Sequence, residues 1–386
     1  MIRRTIQKEL LTLAKSFPVI TITGPRQSGK TTLAQAAFPK YKYVNLEEPD
    51  SRQLAQKDAR GFLNLYSAPV IIDEVQRVPE LLSYIQTIVD ASHKNGQYIL
   101  TGSHQPQLNA EVSQSLAGRA AILKLLPLSI EELTEARISM TRDEYIFKGF
   151  MPRLYQQKMN PTRLYSNYFS TYVERDVRQL VNIRNLTHFE MFIKLLAGRV
   201  GQLVNLNSLS NDIGVSATTL AEWLSVLEAS YIVFRLPCYF ENFGKRLIKS
   251  PKLYFTEVGL AAYLLGIQDV TQVMRDPLFG GLYENMVVME VLKARFNAGM
   301  EPEMYFFRDS HGNEVDLLLR GANALLPVEI KASQTFSTDF ADSIIALRKL
   351  SPKVKKGIVA YSGDLTPTLN EVSFVNFKKI GNVAKS

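Results

Sequence analysis

Short apolar runs, closed off by glycine, proline and polar clusters, recur through the first third of the chain. Val19-Ile20-Thr21-Ile22-Thr23, Tyr41–Leu46, Pro69–Glu74, Tyr98–Ser103 and Ala121–Leu125 are rich in β-branched and aromatic residues, the pattern of strands. Helical spacing alternates with them. Thr32–Phe38 reads as a helix, and Leu81, Leu82, Ile85, Ile88 and Val89 fall on one helical face. Strands alternating with helices predict a parallel α/β core. Ahead of it, Ile2, Ile6, Leu10 and Leu13 predict a helix over residues 1–16 that packs on this core.

From residue 129 the helical period takes over. Ile130–Ala136, Arg142–Gly149, Pro161–Asp176 and His188–Gly201 read as helices, with a break at Gly149-Phe150-Met151-Pro152. Next come a helix over Leu203–Ile213, a turn at Gly214-Val215 and Ser216 as the N-cap of another helix. That helix carries Leu220, Trp223, Leu224 and Leu227 on one stripe. With the strand Tyr231–Leu236 this predicts a winged helix. The last third opens with a long helix from Phe279, apolar at Val287, Val288, Val291 and Leu292. Strands follow at Met304–Phe307, Gly312–Leu319 and Leu326–Lys331, then a helix over Phe336–Leu350 and strands Gly357–Tyr361 and Val372–Val375. The predicted organisation is an α/β core over 1–135, a helical lid and linking bundle over 136–201, a winged-helix-like part over 202–270 and a second α/β domain over 271–386.

Composition narrows this picture. With 386 residues, 46% of them hydrophobic and 21% charged, the chain can bury two or three cores. No apolar run reaches the ~18 residues of a membrane span, and the amphipathic N-terminus lacks an export-signal core, so a cytoplasmic location is expected. A single cysteine, Cys238, excludes an internal disulfide and any multi-cysteine metal site. It follows Pro237 in an apolar stretch and reads as a buried thiol rather than a nucleophile. The net charge of +8 is spread thinly. It permits non-specific contact with DNA phosphates, for which Lys245, Arg246, Lys249 and Lys252 in the expected wing are candidates. The outward positions Thr218, Glu222 and Ser225 carry no cation, so the preceding helix is a poor reader of base edges. Packing or protein contact accounts for that helix equally well.

The chemistry is concentrated at Gly24-Pro25-Arg26-Gln27-Ser28-Gly29-Lys30-Thr31. This is G-x-x-x-x-G-K-T, set between a predicted strand and a predicted helix, the context of a phosphate-binding P-loop. Loop amides and the helix N-terminus converge on one anion site that includes Thr32. Lys30 reaches the β- and γ-phosphates of ATP, and the Thr31 hydroxyl ligates Mg2+. Val70-Ile71-Ile72-Asp73-Glu74 supplies the matching acidic strand end, the Walker B pattern. Asp73 is expected to hold the magnesium through water, and Glu74 to orient or deprotonate the water that attacks the γ-phosphate. Arg119, before the fifth strand, is expected near the active edge of the sheet. An arginine finger in cis, one acting on a neighbouring subunit, and a structural ion pair are equally open readings.

Gly24–Thr31, Val70–Glu74, Thr101–Ser103, Leu116–Arg119 and Pro127-Leu128-Ser129 together resemble a family of prokaryotic AAA-type P-loop ATPases with a C-terminal domain of unknown function. Tyr172-Val173-Glu174-Arg175-Asp176-Val177 looks like the central Y-x-E-R-D element of that family. Glu257 stands where the family more often has Asp, and His104 where a small polar residue is more usual. The resemblance implies ATP hydrolysis and makes Ser103 the candidate γ-phosphate sensor, a polar strand-end turn being the alternative. It is compatible with a ring-forming homo-oligomer, and equally with a monomer or dimer.

A second chemical signal lies in the last third. Asp316, then Glu329-Ile330-Lys331, resembles the D…E-x-K site of PD-(D/E)XK, or restriction-endonuclease-like, nucleases. Residues 329 and 331 share a face of their strand. Asp316 and Glu329, completed by Glu284 on the preceding helix, are expected to ligate Mg2+ or Mn2+, with Lys331 steadying the attacking water or the phosphate. The alternative is a retained fold that binds a partner, with these residues forming a satisfied polar cluster.

Overall fold

A computed structural model describes residues 2–102, 115–177, 185–239, 250–309 and 312–384, the side chains of 174–176 excepted. They form two compact units. One comprises Met1–Leu128 with two short returns, Ala229–Tyr231 and Phe296–Met300. The other comprises Ser129–Glu228, Ile232–Arg295 and Glu301–Ser386.

The first unit is built on β1 (Val19–Thr23), β2 (Lys42–Asn45), β3 (Val70–Asp73), β4 (Tyr98–Gly102) and β5 (Ala120–Lys124). They lie in the order β2-β3-β4-β1-β5, and every neighbouring pair is parallel. Parallel pairing needs crossovers over the faces, so β1, β3 and β4 are buried throughout. One face is covered by α1 (Gln7–Ser16) and α2 (Lys30–Ala37), whose Leu10, Leu33 and Ala34 pack with Ile20, Ile22, Ile71 and Ile99. On the other, α4 (Ala59–Leu65) and α5 (Leu81–Ser92) bring Phe62, Leu63, Leu81, Leu82, Ile85 and Val89 onto Val70, Ile72 and Leu100. The N-terminal helix starts at Gln7, not at residue 1, because Arg4 is held by loop carbonyls instead.

The second unit begins with helices Ile130–Glu135, Arg142–Lys148, Pro152–Gln156 and Pro161–Tyr168. Capping boxes start the first two, Ser129 with Glu132 and Thr141 with Glu144. The helix expected to run to Asp176 is α-helical only to Tyr168 and continues as a π-helix over Phe169–Val177. Helices Leu206–Ile213 and Ala217–Ala229 follow, joined through Gly214 at φ +75, a left-handed turn residue without the Cβ penalty. Trp223 packs its ring against Phe189 and Phe192, so the predicted stripe is core. A two-stranded antiparallel ribbon, β6 (Val233–Leu236) and β7 (Lys252–Phe255), comes next.

The C-terminal sheet is mixed: β8 (Met304–Arg308), β9 (Glu314–Arg320), β10 (Leu325–Lys331), β11 (Gly357–Tyr361), β12 (Thr368–Leu369) and β13 (Val372–Asn376), in the order β12-β13-β11-β10-β9-β8. Strands β8 to β10 are antiparallel neighbours and β11 runs parallel to β10. The helix Phe279–Asn297 precedes this sheet and is buried almost all round. Cys238 is buried, and burial pushes its thiol up, which suits an inert side chain. Among the described residues no helix is long and apolar enough to cross a membrane.

Candidate functional site

Each end of the loop between β1 and α2 is shaped by a glycine. Gly24 has φ +150, and a Cβ there would meet Leu125 O at 2.0 Å. Gly29 has φ +92 and caps α2, so Lys30 begins the helix. The amides of the first helical turn therefore point out of the loop with no partner four residues back. Ser28 is fully buried, and among the described residues its Oγ has no hydrogen-bond partner. A closely approached backbone, a helix N-terminus and an unsatisfied buried hydroxyl make a cradle suited to phosphate. Lys30 is buried, and its ammonium donates to Gly24 O at 3.1 Å and Pro25 O at 2.9 Å. Burial lowers its pKa to about 8 against the opposing pull of Glu74 and Asp73. Pro25, Arg26, Gln27 and Thr32 lie along the same segment.

Asp73 ends β3 as a buried carboxylate. Thr31 Oγ1 donates to its Oδ2 at 2.8 Å, and the Tyr43 hydroxyl donates to the same oxygen at 2.9 Å. Thr101 Oγ1 donates to Oδ1. Glu74 follows with φ +56, a left-handed conformation that is uncommon for a side chain of this size and concentrates at functional sites. Its N–H donates to Thr101 Oγ1 at 3.4 Å, and Gln76 donates to its carboxylate. The fold thus brings together the helix N-terminus, Lys30, Thr31, Asp73 and Glu74. Tyr43 and Thr101 had not been singled out as site residues. Tyr43 sits on β2 in an ordinary alternating strand, and the only hint for either was a polar atom near the end of a strand that abuts β3. Burial and the neighbouring Asp73 raise the Tyr43 pKa well above the ordinary phenol range, which keeps it a donor.

Arg119 is placed differently from the expectation. β1 and β5 are parallel with Val19 opposite Ala120, so Arg119 lies at the N-terminal edge of the sheet, while the P-loop leaves the C-terminal edge. The five residues of β1 separate the two by about 15 Å. Arg119 instead pairs with both carboxylate oxygens of Asp90, at 2.5 and 2.9 Å. This corrects its expected place at the active edge of the sheet and matches the structural ion pair left open for it. Ser103, with His104 and Gln105, lies outside the described residues.

In the second unit the acids assemble, but on cations. Val328 pairs with Leu317 across β10 and β9, so Asp316 and Glu329 come next, on adjacent strands. Asp316 Oδ2 accepts from the Ile330 N–H at 2.8 Å. Glu329 accepts from Lys331 at 2.6 Å and from the Ser343 hydroxyl at 2.7 Å. Glu284, on the long helix, accepts from Tyr254 at 2.6 Å and from Lys252 at 2.9 Å. Lys252, on β7, also reaches Glu314 at 2.6 Å and lies 3.7 Å from Asp316. Arg308 adds a third cation at Glu314, 3.3 Å away. Burial and the Asp316 charge push Glu284 and Glu329 up to about 7. Burial opposes the charge on Lys252, yet Glu284, Asp316 and Glu314 together hold its pKa above the ordinary lysine range.

Asp316, Glu329 and Glu284 thus sit on cations and hydrogen-bond donors, the arrangement of the satisfied polar cluster given as the alternative to a metal site, and among the described residues no group of three His, Cys, Asp or Glu side chains is arranged to hold a metal ion. One expectation is corrected here. Lys252, buried and ion-paired, does not reach outward to a phosphate. Lys245, Arg246 and Lys249 lie outside the described residues. Glu257 is a buried helix cap, accepting from Gly259 N–H at 3.2 Å and Phe150 N–H at 2.8 Å.

Comparison with known proteins divides the chain in three. Residues 16–134 match the AAA domain family. Residues 140–271 and 279–380 match two domains of unknown function, DUF8612 and DUF4143. An uncharacterized protein of Mycobacterium tuberculosis is 30% identical over 340 residues, covering 86% of this chain and 74% of that protein. An uncharacterized protein of Haemophilus influenzae is 24% identical over 389 residues, covering 91% and 92%. Among solved structures, a Walker-type ATPase of Pyrococcus abyssi aligns at 13% identity with a TM-score of 0.46, over 68% of this chain and 96% of that one.

Proposed function

The chain belongs to the family of the Mycobacterium tuberculosis protein and is an AAA-type P-loop ATPase, and on that premise we propose that its first unit hydrolyses MgATP while its C-terminal domain binds a partner without cutting DNA. The amides from Gly24 to Thr32 cradle the phosphates and Lys30 carries the balancing charge. Thr31, and Asp73 through water, would hold the magnesium, which when bound would supply charge stabilisation at the transferring phosphoryl group. One carboxylate and one hydroxyl suffice, because magnesium keeps water and phosphate oxygens as its other ligands. Glu74 orients and deprotonates the attacking water, and Thr101, which donates to the Asp73 carboxylate and accepts from the Glu74 backbone N–H, ties the two residues at the strand end. The observation that carries this reading is the 2.8 Å bond from Thr31 to Asp73 beside the buried Lys30 ammonium.

The experiment is a pair of variants. Glu74→Gln retains ATP binding and loses turnover by about 10²-fold or more, the range of a general base. Lys30→Ala loses binding or turnover. Normal turnover in both ends the proposal.

For the C-terminal domain, a restriction-endonuclease-like fold is supported by Asp316 and Glu329 on adjacent strands of a mixed sheet. Cleavage is disfavoured because the acids already hold Lys252, Lys331 and Arg308. The alternative of a nucleotide-dependent switch without nuclease activity follows. In a plasmid-nicking assay with magnesium or manganese, wild type and Asp316→Ala are expected to be equally inert. Metal-dependent nicking that disappears in Asp316→Ala would overturn this half of the proposal.

A further inference from the structure

Arg4 lies outside every motif, yet it is one of the few buried charged side chains of the first unit, 8% exposed. Its Nη1 donates to Ser28 O at 2.7 Å, inside the P-loop. Its Nη2 donates to Leu126 O at 2.7 Å and to Pro127 O at 3.3 Å, just past β5. A planar guanidinium presents its donors in a fixed fork, so these three bonds tie the back of the P-loop to the chain leaving the sheet.

The consequence for the front of the loop follows from peptide geometry. In a trans peptide the C=O and N–H point to opposite sides. With the Ser28 carbonyl drawn toward Arg4, the Gly29 N–H is turned the other way, toward the side where the loop amides converge. Gly29 is the residue at φ +92 that caps α2, and its N–H meets no acceptor among the described residues. A glycine in a left-handed conformation is free to rotate away from this orientation; the guanidinium removes that freedom.

We propose that Arg4 is a positioning residue for nucleotide binding: by holding the Ser28 carbonyl from behind, it pre-orients the Gly29 amide toward the phosphates. This rests on the P-loop reading above. It goes beyond the motif, since it makes the segment ahead of α1 part of the nucleotide site.

The test is the affinity of the full chain for ADP with magnesium, by isothermal titration, alongside a thermal melt without nucleotide. Wild type binds, and Lys30→Ala serves as the non-binding control. Arg4→Ala is expected to weaken binding by about tenfold to a hundredfold, the range of hydrogen bonds to a charged group, and to raise the KM for ATP with a smaller change in kcat. Arg4→Lys, which keeps the charge and part of the donor set, recovers part of the affinity. Should Arg4→Ala fail to fold, Arg4→Gln is read the same way. A folded Arg4 variant with wild-type ADP affinity overturns the proposal, even if its melting temperature falls. Wild type that does not bind ADP overturns the P-loop reading itself, so the two failures are distinguishable.

Discussion

Two buried acidic sites in this molecule meet different partners. Asp73 is surrounded by hydroxyls, those of Thr31, Tyr43 and Thr101. Glu284, Glu314, Asp316 and Glu329 are surrounded by ammonium and guanidinium groups, those of Lys252, Lys331 and Arg308. A hydroxyl is a neutral donor that can turn and become an acceptor, so the charge of Asp73 stays available to an incoming cation. A lysine ammonium has only donors and carries the neutralising charge itself. A metal ion entering the C-terminal cluster would first have to expel Lys252 from a nearly dry position. The same residue types, acids at strand ends, are therefore poised for magnesium in one unit and already neutralised in the other.

This contrast can be broken most sharply at Lys252. Lys252→Met leaves three partly buried carboxylates, those of Glu284, Glu314 and Asp316, without the buried cation they share, and removal of one partner of a buried pair costs about 3–5 kcal/mol. The expected outcome is an early unfolding transition of the C-terminal unit in chemical denaturation. An unchanged transition would mean that the cluster does not depend on this ammonium.

The second test concerns the cation of the nucleotide site. Burial lowers Lys30 to about 8, and phosphate binding favours its charged form. Below pH 8 the ammonium is already present and ADP affinity should be flat. Above pH 8 binding must take up a proton, so affinity should fall by up to about tenfold per pH unit. Lys30→Arg, if it binds, should lose this dependence. Titration calorimetry between pH 7 and pH 9 reads the slope.

The smallest effect is expected at Tyr43. Tyr43→Phe removes one neutral donor from Asp73 at a partly exposed position and should cost no more than about 1 kcal/mol, against the several expected at Lys252. A loss as large as that of Lys252→Met would erase the distinction between hydroxyl and ammonium partners.

Much of the molecule could be read along the chain. All five strands of the first sheet lie within a residue or two of their predicted bounds; β1, β3 and β4 are buried throughout and so largely apolar, and the limits of all five are marked by flanking polar clusters. The P-loop was equally readable, since its function depends on local geometry: two glycines where the backbone needs them and a lysine on the first turn of the next helix. The end of the Pro161–Tyr168 helix was not readable, because no glycine, proline or capping residue marks the point where the hydrogen bonding widens to the i→i+5 pattern.

What the sequence by itself determined is therefore the set of local elements and the residue types that carry chemistry. What only the tertiary structure decided is which charges meet. Arg119 looked close to the phosphates until the parallel register put it at the opposite edge of the sheet. Asp316, Glu329 and Glu284 looked like metal ligands until β7 brought Lys252 between them. Arg4 belongs to no motif, and only the fold places it behind the P-loop. The physical reason is common to all three. Helices and strands follow from short-range periodicity, whereas the fate of Arg4, Arg119 and Lys252 depends on an opposite charge or carbonyl that comes from 24 to more than 60 residues away.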